Sequence, residues 1–152
     1  KGQEVLMGSE NVTEVIRTNE VTNTVSKISA MTEIREFMVA EQQRIAKNGG
    51  IIMDGRDIGT CVLPNAQLKI FLTASVQVRA KRRYDELVEK GECCDLAEIE
   101  KDISERDYRD MHREIAPLKA AEDAVMLDSS ELNIDEVVEA IYEYAKKAGL
   151  EA

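Results

Sequence analysis

The sequence lacks any long apolar run. No stretch of its 152 residues approaches the length that spans a membrane, and no charged-then-apolar leader opens the chain. We therefore expect a cytoplasmic protein with no membrane partner. Apolar residues make up 43% and charged residues 33% of the chain, a composition typical of one globular domain with its own core.

Cysteine is scarce, and its spacing excludes the usual zinc and disulfide patterns. The three cysteines are Cys61, Cys93 and Cys94, of which two are adjacent. Adjacent cysteines rarely bridge each other, and no C-x-x-C pair stands with histidines at zinc spacing. We expect free thiols and no metal ligands, with the one histidine, His112, on a helix surface.

A basic excess is also absent. The formal net charge of −10 argues against a general nucleic-acid surface. The basic residues nevertheless form two local clusters: Arg79, Lys81, Arg82 and Arg83, and then Arg106, Arg109 and Arg113. Local positive clusters on an acidic protein indicate a small anionic ligand.

The stretch 51–60, which reads IIMDGRDIGT, combines an apolar run with charged and glycine residues. The run Ile51–Met53 suits a buried strand, and charged groups after such a strand are how open α/β sheets present ligand sites. Arg56 offers a planar fork matched to phosphate, while Gly55 and Gly59 permit a tight turn or a close approach to a ligand. A surface turn whose Asp-Arg-Asp charges pair with each other is an equally good interpretation of these residues.

Periodicity and capping residues predict that strands alternate with helices. The predicted strands are Val5–Met7, Ile51–Met53, Leu68–Leu72 and Asp123–Asp128. Helices are predicted around Val21–Ile28, from a cap at Thr32 to about Lys47, from a cap at Ser75 to Lys90, from Asp95, and from Asn133 to Gly149. This alternation implies an α/β fold with a parallel sheet.

Two groups of charged residues share helix faces. The spacing i, i+3, i+4 places Arg79, Arg82 and Arg83 on one face, where a solvated basic surface is the common explanation. The spacing i, i+4, i+7 aligns Arg106, Asp110 and Arg113, either as an exposed ion-pair ladder or as a fork for a phosphate and a diol. Arg35, in the first turn of its helix, opposes the helix dipole and requires a carboxylate or a ligand.

Several segments together resemble the bacterial cytidylate kinase family. In chain order they are VSKI (25–28), IR (34–35), DGRDIGT (54–60), KIFLTAS (69–75), RAKRR (79–83), RDYRDMHR (106–113), EIAPL (114–118) and VMLDS (125–129). The resemblance spans the chain from about Val5 to the final helix. It implies a P-loop nucleoside monophosphate kinase sheet and transfer of the γ-phosphoryl group of ATP to CMP or dCMP, with Mg²⁺, in pyrimidine nucleotide metabolism.

The resemblance also implies a role for each matching residue. Base recognition falls to Ser26, Arg35 and Asp57, phosphate binding to Arg56 and Arg113, and sugar binding to Arg106 and Asp110. The lid arginines, which close on the transferring phosphoryl group, are Arg79, Arg82 and Arg83. Hydroxyl, guanidinium and carboxylate groups can together distinguish the polar edge of cytosine.

The family's N-terminal strand and phosphate loop, G-x-x-x-x-G-K-[ST], do not occur in this sequence. We therefore expect an incomplete, inactive portion of a cytidylate kinase. Residues from about 1 to 48 would belong to the monophosphate-binding region, and about 49–152 to the core, with the lid at about 76–113. The alternatives are a non-catalytic nucleotide-binding or interaction domain that has lost the loop, and a helical scaffold whose arginines form only surface ion pairs.

The same resemblance places the missing strand between the predicted strand ending at Asp54 and the one at Leu68–Leu72. Unpaired strand edges are templates for pairing with another chain. We therefore expect the chain to rearrange its strands, to self-associate, or to pair with the missing N-terminal segment.

Overall fold

The computed structural model describes residues 4–29 and 31–150, except for the side chains of Asn19, Asn23 and Ser26. The chain divides into two compact units, with the boundary between Asn48 and Gly49. Among the described residues, none of the helices combines the length and the apolar character that crossing a bilayer requires.

The first unit contains a hairpin, a short 3₁₀ turn and two helices. These are β1 (Leu6–Met7), β2 (Glu10–Asn11), the turn Val15–Arg17, α1 (Asn19–Ile28) and α2 (Thr32–Ala46). The two strands are antiparallel, and Met7 pairs with Glu10 across the turn at Gly8. Thr18 caps α1 by accepting a hydrogen bond from the amide of Val21. The predicted strand at Val5–Met7 and the helix carrying Val21, Val25 and Ile28 are both confirmed.

Helix α2 begins one residue away from the predicted cap. Met31 holds the N-cap position without a side-chain hydrogen bond, and Thr32 is already helical, so the prediction that Thr32 caps the helix is wrong. The stop after the helix is as predicted, because Gly49 and Gly50 both adopt positive φ, at 71° and 63°. No residue of α2 is buried within the described chain, including its apolar stripe of Ile34, Phe37, Met38 and Ile45.

The second unit is an α/β arrangement. Its elements are the π-helical turn Ile58–Val62, β3 (Ile70–Thr73), α3 (Val76–Glu89), α4 (Leu96–His112), β4 (Val125–Asp128) and α5 (Ile134–Lys147). Strands β3 and β4 are parallel, with a register that runs from Ile70 opposite Val125 to Thr73 opposite Asp128. Helix α3 packs against α4. The buried apolar residues are Val62, Ala74, Ala80, Leu87 and Leu127.

The predicted helix starts of this unit are confirmed. Ser75 accepts from the amide of Val78 at 3.2 Å, and Asp95 accepts from the amide of Glu98 at 2.9 Å. Asn133 and Glu136 form a complete capping box at the start of α5. Parallel strands that alternate with helices confirm the predicted α/β class.

The predicted strand at Ile51–Met53 does not form. Residues 51–54 have no regular structure, and Ile52 is 96% exposed. A strand requires a hydrogen-bonded neighbour, and among the described strands β3 pairs only with β4. The apolar run therefore marks a segment suited to a sheet, but it lacks a partner within the described chain.

Candidate functional site

The chain turns sharply after Arg56. The carbonyl of Asp57 accepts from the amide of Cys61 at 2.8 Å, and the carbonyl of Ile58 accepts from the amide of Leu63 at 2.7 Å. These bonds build the π-helical turn, which buried Val62 anchors in the core. Single π-turns are frequent at functional sites. The turn holds the Asp57 side chain at 9% exposure.

Gly55 and Gly59, which were predicted to permit a tight turn or a close approach to a ligand, both lie in this bent segment. Neither glycine adopts positive φ in the structure. A Cβ at Gly55 would lie 3.0 Å from Cγ1 of Ile58, and one at Gly59 would lie 3.4 Å from Cδ of Lys69. Gly55 therefore makes room for the side chain of Ile58, whereas a Cβ at Gly59 would only reach contact distance of Lys69.

Asp110 lies at the centre of a charged group on α4. Its Oδ2 is 3.1 Å from Nε of Arg56 and 3.9 Å from Nε of Arg106. Asp110 is only 6% exposed. This burial contradicts an exposed ion-pair ladder on α4. The 3.1 Å contact joins Arg56 to Asp110, which lies outside the segment 54–57. The interpretation of this segment as a turn whose charges pair only among themselves is therefore wrong.

Arg113 lies just beyond the end of α4 and faces Asp57. Its Nη2 is 3.8 Å from Oδ1 of Asp57, and both side chains are largely buried. Its Nε donates to the carbonyl of Ala116 at 2.6 Å. We name the five residues Arg56, Asp57, Arg106, Asp110 and Arg113 the arginine–aspartate cluster. All five were predicted from the sequence as substrate-binding residues, and the structure brings them together.

Within the part of the chain that the structure describes, three polar atoms of the cluster are buried and make no hydrogen bond: Nε of Arg106, Oδ2 of Asp110 and Nη2 of Arg113. Each takes part in an ion pair with a described residue, at 3.1–3.9 Å. A buried polar atom without a hydrogen bond costs about 1–3 kcal/mol and calls for an explanation. A ligand that offers acceptors to the two nitrogens and a hydroxyl donor to the oxygen would satisfy all three, once the side chains part to admit it.

The electrostatics of the cluster favour an anion. Burial lowers the pKa of the Arg106 guanidinium, and the like charge of Arg56 lowers that pKa further. The carboxylate of Asp110 opposes both effects. The five residues of the cluster carry a formal charge of +1, which the nearby carboxylate of Asp107 moderates at Arg106. A phosphate would balance it.

The three arginines predicted for the lid contact different partners. Nη2 of Arg79 lies 2.6 Å from Oδ2 of Asp107 on α4, and its Nε donates to the carbonyl of Ala74 at 3.0 Å. Nη1 of Arg83 lies 2.8 Å from Glu86. The side chains therefore do not act as one solvated basic face.

Arg82 ties α3 to the loop that follows β4. Its Nη2 donates to the carbonyl of Ser129 at 2.6 Å and to that of Leu132 at 3.0 Å. Ser129 is buried. These two backbone contacts favour a structural contribution from Arg82.

Replacing Arg82 with alanine is expected to lower the free energy of unfolding by about 1–2 kcal/mol, since it removes three charge-assisted hydrogen bonds from a partly exposed side chain. Thermal or urea unfolding measures the loss. Lys81→Ala on the same helix is the matched control, because its pair with Asp85 is exposed and contributes at most about 0.5 kcal/mol. Equal small losses for both variants would refute the structural contribution of Arg82.

Two predicted base-recognition residues lie in the first unit. Ser26 is on α1, but its side chain lies outside the described part of the chain. Arg35 is the fourth residue of α2 and is half-buried. Their predicted roles stay predictions.

Two contacts of the site escaped the sequence reasoning. Asp107, which pairs with Arg79, lies in the RDYRD segment, but nothing in the spacing connects it to α3. Ala116 holds Arg113 through its carbonyl and has a φ of 48°. Alanine gives no sequence signal for that conformation.

The cysteines and the histidine have no assigned role in the site. Cys61, Cys93 and Cys94 are free thiols, as predicted. His112 is exposed on α4, where its ring stacks on Tyr108 at 4.0 Å, which confirms the helix-surface prediction. Among the residues that the structure describes, no three His, Cys, Asp or Glu side chains are placed to hold a metal ion.

The chain is similar to known proteins over nearly its whole length. A family model described as cytidylate kinase matches residues 1–147. The chain is 72% identical over 147 residues to a cytidylate kinase of Lactococcus lactis subsp. lactis, covering 97% of this chain and 67% of that protein. It is 67% identical over 146 residues to one of L. lactis subsp. cremoris, covering 96% and 66%. For one of Streptococcus thermophilus the identity is 57% over 143 residues, covering 94% and 63%. The chain thus spans about two thirds of the length of these relatives.

Proposed function

The chain belongs to the cytidylate kinase family of nucleoside monophosphate kinases, and from that premise we propose that the whole protein transfers the γ-phosphoryl group of ATP to CMP or dCMP. The products are CDP or dCDP and ADP. We also propose the P-loop kinase fold of the family for the whole protein, with residues from about 1 to 48 in the monophosphate-binding region. Residues from about 49 to 152 form the core, with a lid at about 76–113.

The observation that carries this proposal is the buried arginine–aspartate cluster with its three unsatisfied polar atoms. Arg56 and Arg113 bind the phosphate of CMP through charge-assisted hydrogen bonds. Arg106 and Asp110 bind the sugar hydroxyls, because a hydroxyl both accepts from Nε of Arg106 and donates to Oδ2 of Asp110. One substrate contacted at its sugar and its phosphate accounts for all three orphaned atoms.

The base of the nucleotide is read by Asp57, Ser26 and Arg35. A carboxylate accepts from the exocyclic amine of cytosine, while a guanidinium and a hydroxyl donate to its carbonyl and ring nitrogen. The support for Asp57 is its burial within the cluster. The support for Ser26 and Arg35 is the match of their sequence segments to the family.

Arg79, Arg82 and Arg83 act on the transferring phosphoryl group. Phosphoryl transfer depends on positioning and on neutralising the charge of the equatorial oxygens, which guanidiniums perform well. To reach a nucleotide, Arg79 must leave Asp107 and Arg83 must part from Glu86. Arg82 has the least support for this role, because two backbone carbonyls already hold it.

Magnesium accompanies ATP in reactions of this class. Asp57 and Asp110 lie against guanidiniums, and among the described residues no three acidic or other ligand side chains converge on a metal site. No step is therefore assigned to the ion within this chain. We propose that the donor nucleotide and its ion depend on the phosphate loop, a motif that the 152 residues do not contain.

The apolar run 51–53 suits pairing with a strand that another segment or chain supplies. Strand β3 pairs with β4, while the apolar run 51–53 has no strand partner in the described chain. We propose that the N-terminal strand of the family, or a second copy of this chain, pairs with this part of the sheet.

Calorimetry with nucleoside monophosphates tests the proposed substrate. We expect CMP and dCMP to bind the chain at least about tenfold more tightly than AMP, because a buried site built to hydrogen-bond one base edge rejects a base that leaves its groups unpaired. Inorganic phosphate serves as the control for anion binding alone. AMP binding as tight as CMP binding would contradict cytosine recognition. The absence of binding by every nucleotide would favour the interaction-domain alternative.

A further inference from the structure

The loop 113–118 folds back onto the end of α4. The amide of Leu118 donates to the carbonyl of Asp110 at 2.8 Å. Within the loop, Nε of Arg113 donates to the carbonyl of Ala116 at 2.6 Å. Two hydrogen bonds therefore fasten this loop to residues of the arginine–aspartate cluster, one on the backbone and one on a side chain.

Ala116 has an uncommon backbone conformation. Its φ of 48° makes it the one non-glycine residue with positive φ among those that the structure describes. Such a conformation persists where the surroundings enforce it, and residues of this kind are concentrated at functional sites. Here the conformation turns the Ala116 carbonyl towards Arg113.

We propose that Ala116 is a positioning residue for Arg113. Its carbonyl accepts the hydrogen bond from Nε of Arg113 and so fixes the plane of the guanidinium. The same edge of the guanidinium carries Nη2, which is buried and lies 3.8 Å from Oδ1 of Asp57. An arginine held in this way is already ordered, so binding a phosphate costs it little further side-chain entropy. The consequence for CMP rests on the proposed role of Arg113 as a phosphate ligand.

Two substitutions at position 116 separate positioning from simple packing. Ala116→Val introduces a β-branched side chain that disfavours positive φ, so the carbonyl should turn away from Arg113. Ala116→Gly accepts the same φ and keeps the carbonyl in place. We expect Ala116→Val to weaken CMP binding roughly tenfold or more, and Ala116→Gly to stay within about twofold of the wild-type chain, as calorimetry would show.

A double substitution tests whether the effect passes through Arg113. In an Arg113→Lys background there is no Nε–H for the carbonyl to hold, so Ala116→Val should cause no further loss of CMP affinity. An equal loss in both backgrounds would overturn the positioning role. Wild-type affinity in the folded Ala116→Val chain would also overturn it.

Exchange of the arginine Nε–H protons, measured by NMR without nucleotide, decides the matter even if Ala116→Val does not fold. We expect the Nε–H of Arg113 to exchange much more slowly than that of exposed Arg109, in the wild-type chain and in Ala116→Gly. Exchange as fast as that of Arg109 would refute the inference. A wild-type chain with a protected Arg113 Nε–H but no affinity for CMP would instead overturn the proposed function and leave the Ala116–Arg113 contact established.

Discussion

Replacing Arg113 with alanine is expected to weaken CMP binding by about 1.5–3 kcal/mol, the usual contribution of a hydrogen bond to a charged group. Arg113 is largely buried beside Asp57, and its Nη2 makes no hydrogen bond in the described structure. Its loss would also leave Asp57 without the guanidinium at 3.8 Å. Calorimetric titration of the variant with CMP measures the change.

Arg83→Ala is the matched control for this prediction. Arg83 lies on α3 near Glu86, and its proposed contact is with the transferring phosphoryl group, which CMP alone does not supply. We expect the affinity for CMP to change by less than about 0.5 kcal/mol, as for most surface substitutions. Equal losses for both arginines would contradict the division between substrate-binding and lid residues.

The 152 residues assayed alone are expected to show no turnover of ATP and CMP. The sequence contains no G-x-x-x-x-G-K-[ST] stretch, so the chain offers no backbone nest, lysine or hydroxyl of that motif to the β- and γ-phosphates and their magnesium ion. Single elements of this machinery are worth factors of hundreds or more in rate, and here several are lacking together. A coupled assay of ADP release measures the turnover.

The control for the assay is the longer cytidylate kinase of Lactococcus lactis subsp. lactis, of which this chain covers 67%. Turnover by that longer chain, together with none by the 152 residues, would agree with the proposal. Sustained ADP release by the 152 residues, dependent on CMP, would contradict it.

Helix boundaries were predictable from the sequence because they depend on neighbouring residues. Ser75, Asp95 and Asn133 each cap the helix that the sequence predicted for them. A capping side chain bonds an amide only three residues away, so the spacing along the chain contains the information. Thr32 failed by one residue, which is within the usual uncertainty of a helix end.

The predicted strand at Ile51–Met53 did not form, because a strand depends on a partner strand. The run Ile51–Met53 has the composition of a buried strand, but a strand forms only by pairing. No described strand lies beside it, and Ile52 remains exposed. Local sequence shows that a segment suits a sheet, but it does not supply the neighbour that completes one.

The sequence named the members of the arginine–aspartate cluster but not the contacts between them. Helical periodicity placed Arg106 and Asp110 on one face, and the structure keeps them 3.9 Å apart. The 3.1 Å contact between Arg56 and Asp110 depends on how the chain folds between them, and no spacing rule reaches that far. The positive φ of Ala116 could not be predicted from the sequence either, because it results from the loop that closes on α4.

The most direct test of the central claim is a crystal structure of this chain with CMP bound. The proposal predicts phosphate oxygens within about 2.7–3.2 Å of guanidinium nitrogens of Arg56 and Arg113, and a sugar hydroxyl within the same range of Asp110. The 3.1 Å contact between Arg56 and Asp110 should lengthen as the ligand enters. CMP bound elsewhere, with the arginine–aspartate cluster unchanged, would contradict the assignment of these residues to the nucleotide.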